Sequence, residues 1–234
     1  MDHLFFITIC IAVGAVTGFL GGLLGIGGGV IVVPALIILF DAVNLFPSDQ
    51  FPANTATLLA VGTSLSTIIF TSASAAYAQI RRGMVEWIVV RRWIVFLSLG
   101  SLGSSYVASS LSDLFLKTFI AAFVLFVACV MLTSWKPNPS RALPGRFLSA
   151  ALGSIGGLIA GIAGIGGANI MVPTLIYFNV PILQATATAS AVGPAIAIFG
   201  TIGYISSGLH TAVSYTHLRA HETRHDLVCR LLLE

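Results

Sequence analysis

Two glycine runs are the residues of this chain best suited to chemistry. One is GIGGG (Gly25, Gly27, Gly28 and Gly29 around Ile26) and the other is GIGGA (Gly164, Gly166 and Gly167, then Ala168). Consecutive glycines break a helix, and inside a bilayer the freed backbone amides need a partner that lipid cannot offer. The apolar segment after each run, from Val30 or Asn169, presents a helix N-terminus whose unpaired N–H groups and dipole favour an anion. Two such elements facing each other at midplane would form an anion site; the competing reading is a kink filled by protein or water. Asn169 stands where the first run has Val30, so the two halves are unequal. Pro34 and Pro173 follow the runs and are read as helix-break residues, because proline has no N–H for the helical ladder. Thr55 and Thr57, and Thr186 and Thr188, stand in two TAT blocks at matching depths, with Ser64, Ser66, Thr67 and Thr71 further along the first. These hydroxyls either bond their own helix carbonyls or line a path and donate to oxyanion oxygens.

Other chemistry finds little support. The glycine runs have no GK[ST] and no GxGxxG, so nucleotide binding is set aside. No Asp, Glu, Lys, Arg or His occupies the middle of an apolar stretch, and no acid/base pair, activated nucleophile or metal-ligand cluster is found in the spans. The chain reads as a non-enzyme with no cofactor and no metal. Cys10 and Cys129 fall inside apolar stretches, where a thiol behaves as a small hydrophobe.

The elements that must position these residues are membrane-spanning. Of 234 residues, 57% are hydrophobic and 8% charged, against about 25% charged in soluble domains. Mean hydropathy is +1.00. The net charge of +3 sits in short connections, which argues against nucleic acid and for membrane topology. Apolar stretches run over 4–40, 53–78, 93–111, 114–135, 147–178 and 182–206. Most match one crossing. The first and fifth are longer and glycine-broken, so discontinuous helices or re-entrant segments are expected there. The fold class is therefore all-α, a polytopic helical membrane protein. Arg81, Arg82, Arg91 and Arg92, and then Lys136, Arg141 and Arg146, mark cytoplasmic connections.

The organisation is a repeat. Gly14 to Ile37 laid over Gly153 to Ile176 gives 12 identities in 24, and Thr55 to Gly62 matches Thr186 to Gly193 at six of eight positions. Both copies carry glycines four apart (Gly14, Gly18, Gly22; Gly153, Gly157, Gly161), a smooth face for close helix packing. The expected units are a first repeat over 1–135, a Pro-rich basic linker over 136–146, an incomplete second repeat over 147–212, and a foreign tail over 213–234. That tail contains SYTHLRAHET and LVCRLLLE, which resemble the translated ends of a sequencing adapter. A His-rich metal-binding helix through His217, His221 and His225 is the alternative reading. Whether the copies are parallel or inverted is left open, since a re-entrant first hairpin would invert them.

The two glycine blocks, each followed by proline and then by TAT-x(2)-AVG, resemble the sulfite exporter TauE/SafE family over about Gly14 to Ser206. The resemblance implies a multi-pass permease of the cell inner membrane for small sulfur-containing anions or organic acids such as sulfite or sulfonates. The implied partners are a small anionic solute and the lipid bilayer, with a homo-oligomer as an option. The alternatives are a permease or channel for another small solute, or a non-transporting assembly subunit held by the GxxxG faces.

Overall fold

A computed structural model describes residues 29–43, 54–132 and 145–231, together with scattered positions between 8 and 19. Among the described residues the regular elements are all helical: α1 (Gly29–Val43), α2 (Thr55–Arg81), α3 (Trp87–Ser109), α4 (Asp113–Leu132), α5 (Arg146–Ala163), α6 (Ala168–Tyr177) and α7 (Ile182–Leu231). Three are long and apolar enough to cross a membrane: α2, α3 and the Ile182–Gly208 part of α7. By contrast α1 and α6 have 15 and 10 residues, about 22 and 15 Å at the helical rise, so each reaches only part way through a ~30 Å hydrocarbon core. Helix α7 runs through the boundary expected at 212, since 209–231 has neither Gly nor Pro to stop it.

Helix directions follow from which residues meet. Gly62 of α2 lies against Tyr204 of α7, and Gly193 of α7 against Ser72 of α2, so these two helices run antiparallel. Each of the two carries one TAT block. Gly153, Gly157 and Gly161 of α5 lie against Phe96, Leu97 and Ser104 of α3, which makes α3 and α5 parallel. The chain then turns back. A methyl on Gly156 would stand 3.4 Å from Ile170 of α6, and α6 packs its Met171 and Leu175 with Val85, just before α3, and with Val89 and Trp93 at the start of α3. Helices α5 and α6 thus form a re-entrant hairpin with both outer ends on the face that carries Arg81, Arg82, Arg91 and Arg92, called here the arginine face.

The packing is that of a membrane bundle. Its interior is closed by small residues, with Ser98, Ser101, Ser104 and Ser105 of α3 all buried, while Phe70, Leu114 and Phe147 are 78%, 77% and 90% exposed. Glycines allow the contact: a Cβ on Gly157 would overlap the Leu97 carbonyl, and one on Gly100 the Ser154 carbonyl. Among the described residues, no atom lies within 4 Å of a Cβ placed on Gly14 or Gly18, the counterparts of Gly153 and Gly157. A second apolar cluster, Val33, Ile37, Ala60, Val61, Leu65 and Ile120, joins α1, α2 and α4.

Candidate functional site

The tip of the re-entrant hairpin is built by backbone rules. Helix α5 stops because Gly164 takes the left-handed conformation (φ 65°), which a residue without Cβ adopts freely. Its N–H donates to the Gly161 carbonyl at 3.2 Å and the Ile165 N–H to the Ala160 carbonyl at 3.0 Å, so the last turn of α5 is closed. Helix α6 begins at once. The N–H groups of Asn169, Ile170 and Met171 donate to the carbonyls of Gly166 and Gly167 at 3.5, 3.3 and 3.0 Å.

Among the described residues, no acceptor faces the N–H groups of Gly166 and Gly167, both of which are buried. The side-chain Nδ2 of Asn169 is also buried without a partner, in a residue only 6% exposed. Buried donors are nearly always paired, so a grouping of donors with no acceptor among the described residues requires an explanation. They lie at the positive end of α6, which adds the helix dipole to the same locus. At its other end α6 closes on Asn179, in the left-handed region (φ 65°), with the Val180 N–H donating to the Leu175 carbonyl at 3.0 Å.

The first half meets this tip from the other side. A Cβ on Gly29, the first residue of α1, would stand 2.9 Å from the Gly164 carbonyl oxygen and 3.1 Å from Ile165 Cα. Ile68 of α2 lies against both Gly29 and Gly166. Pro34 and Pro173, expected to break their helices, instead lie inside α1 and α6, each as the sixth residue: each removes only the backbone bond to the residue four earlier, Val30 or Asn169, and the helix continues. Gly25, Gly27 and Gly28 lie outside the described residues.

The TAT threonines go elsewhere. Thr57, wholly buried, donates from Oγ1 to Asp113 Oδ1 at 2.6 Å, and Asp113 pairs with Lys117 at 3.1 Å, which also reaches Asp41 at 2.8 Å. Thr188, equally buried, accepts from the Glu86 backbone N–H at 3.0 Å. Thr186 bonds the Ile182 carbonyl of its own helix at 2.8 Å, and Thr55 lies half-buried at the start of α2. The hydroxyl that does reach the hairpin tip is that of Ser64, whose Oγ donates to the Gly164 carbonyl at 3.0 Å. Sequence reading left Ser64 among several span hydroxyls. The signal that could have raised it is its place on the buried stripe Thr57, Val61, Ser64, Ile68 of α2.

A model of the sulfite exporter TauE/SafE family matches residues 10–220, most of the chain. The chain belongs to the TauE/SafE family. A probable membrane transporter protein of Haemophilus influenzae is 32% identical over 206 residues, covering 87% of this chain and 75% of that one. The probable membrane transporter protein YunE of Bacillus subtilis is 26% identical over 220 residues (86% and 78% of the two chains). One of Methanocaldococcus jannaschii is 27% identical over 208 residues (88% and 75%). No solved structure matches. Family membership makes this chain a membrane transporter, and a small solute in a bilayer is what it handles. Its glycine hairpin is therefore a feature of a transport protein.

Proposed function

We propose that the protein is a multi-pass permease of the cell inner membrane for small oxyanions, of the sulfur-containing or organic-acid class, and that the anion passes the tip of the α5–α6 hairpin. The observation that carries this reading is the buried, unpartnered Nδ2 of Asn169 at the N-terminus of α6, next to the N–H groups of Gly166 and Gly167, for which no acceptor is found among the described residues. An oxyanion at the turn offers these donors acceptors, and the helix dipole adds to the attraction without a buried counter-charge. A solute that offers no acceptor would leave the donors orphaned, at about 1–3 kcal/mol each. The family description, sulfite exporter, fits this chemistry. Alternating exposure of the tip to the two faces is the transport step, with no bond made or broken in the solute, so the protein is not an enzyme.

The test is flux of labelled sulfite and thiosulfate into proteoliposomes, compared for the wild-type chain and Asn169→Val. Saturable flux that falls at least tenfold in N169V supports the proposal. Flux of neutral or cationic solutes with none of either anion would reject it.

A further inference from the structure

We infer that recognition is one-sided: of the two glycine tips, the Gly164–Asn169 turn holds the anion, and Ser64 of α2 is the residue that positions that turn. This rests on the oxyanion reading above and specifies how the site works.

The two halves have matching positions, and the polar ones fall on one tip only. Asn169 supplies an amide where the first half has Val30. Ser64 supplies a hydroxyl where the second half, by the TAT alignment, has Ala195, which has nothing to donate. So the second tip has both an amide of its own and a hydroxyl reaching it from α2, whereas the residues that match these two in the alignment, Val30 and Ala195, have only hydrocarbon side chains. The hydroxyl contact is well sheltered, since Ser64 is 0% exposed and its Oγ lies 3.0 Å from the Gly164 oxygen.

The position of that bond gives it a consequence for the donors. Gly164 is the left-handed residue that starts the turn, and its carbonyl lies three residues before the Gly167 N–H, the spacing of a tight-turn hydrogen bond. With the Gly164 oxygen occupied by Ser64, it is not free to swing inward, where it would repel an anion or pair with the Gly167 amide. The glycine backbone is otherwise loose, having no Cβ to restrict it. Ser64 therefore acts through the turn and does not touch the solute. It is a positioning residue that raises affinity by preorganising donors.

The experiment is a sulfite concentration series for flux in proteoliposomes of the full chain, with Ser64→Ala, Ser64→Cys, Ser64→Thr and Val30→Thr. The expected result is a KM raised about tenfold in S64A with maximal flux within twofold of wild type, recovery of most of the affinity in S64T, and no change beyond twofold in V30T. S64C preserves the volume with a weaker donor and should fall between S64A and wild type; should S64A fail to insert, its KM decides the matter. An unchanged KM in S64A or S64C, or a rise in V30T matching that in S64A, overturns the inference. Absence of anion flux in the wild-type chain would instead overturn the proposed function, so the two failures are distinct.

Discussion

The glycines of this protein do two different jobs, and the surroundings of each one show which. Gly157 lies so close to α3 that an added Cβ would overlap the Leu97 carbonyl, which is backbone and cannot rotate away. Gly157→Ala should therefore lower stability by about 1–3 kcal/mol through overpacking, read as a drop in melting temperature of the purified protein. Gly103, on α3, has nothing within 4 Å of its Cβ position. Gly103→Ala should leave the melting temperature unchanged or raise it, by up to about 1 kcal/mol of helix propensity. Gly164 belongs to neither group, because its positive φ strains any side chain whatever the space. Sequence reading grouped Gly153, Gly157 and Gly161 correctly as a packing face, since spacing of four on a helix fixes the face they share. It could not name the partner, because which helix fills a groove is a matter of tertiary packing.

At the scale of elements, the two TAT helices use one motif for two kinds of tie. In α2, Thr57 donates to the Asp113 carboxylate at the start of α4; in α7, Thr188 accepts from the backbone at Glu86, just before α3. Because α2 and α7 are antiparallel, the ties lie near opposite ends of the bundle. A hydrogen bond to a charged group is worth about 1.5–3 kcal/mol and a neutral one about 1 kcal/mol. Thr57→Val should accordingly cost more stability than Thr188→Val, and the double variant should be additive within about 0.5 kcal/mol, since the sites share no partner. Thermal unfolding of the three variants checks this, and strong non-additivity would show that the two ends are coupled. The threonines were legible as matched positions, but a hydroxyl's partner is not written in its own helix. Thr57 finds a residue 56 positions away, and only the fold brings that residue near.

For the whole molecule, the arginines and the hairpin directions agree on one topology. The turn between α2 and α3, the start of α5 and the start of α7 share the arginine face, and the α3–α4 turn at Ser110 and Ser112 lies on the other. If positive residues stay inside, a cysteine at Ser112 in a background without Cys10, Cys129 and Cys229 should react with an impermeant maleimide on intact cells, and one at Gly83 only after permeabilisation. The reverse pattern would place the arginine face outside. The all-helical membrane class was determined by the sequence alone, because 8% charge and runs of apolar residues leave helices as the economical way to satisfy backbone groups in lipid. The break between α5 and α6 was also legible, since glycine acts on its own local backbone and Gly164 takes a positive φ there; the prolines were misjudged as breaks, because a proline near a helix start removes one bond without ending the helix. Direction was not determined, since a broken apolar run reads the same whether the chain continues across the bilayer or turns back. Only the tertiary structure decided that α5–α6 turns back, that α2 and α7 run opposite ways, and that Ser64 meets Gly164 from 100 residues away. Those are contacts between distant segments, and composition and periodicity record only what a segment does to itself.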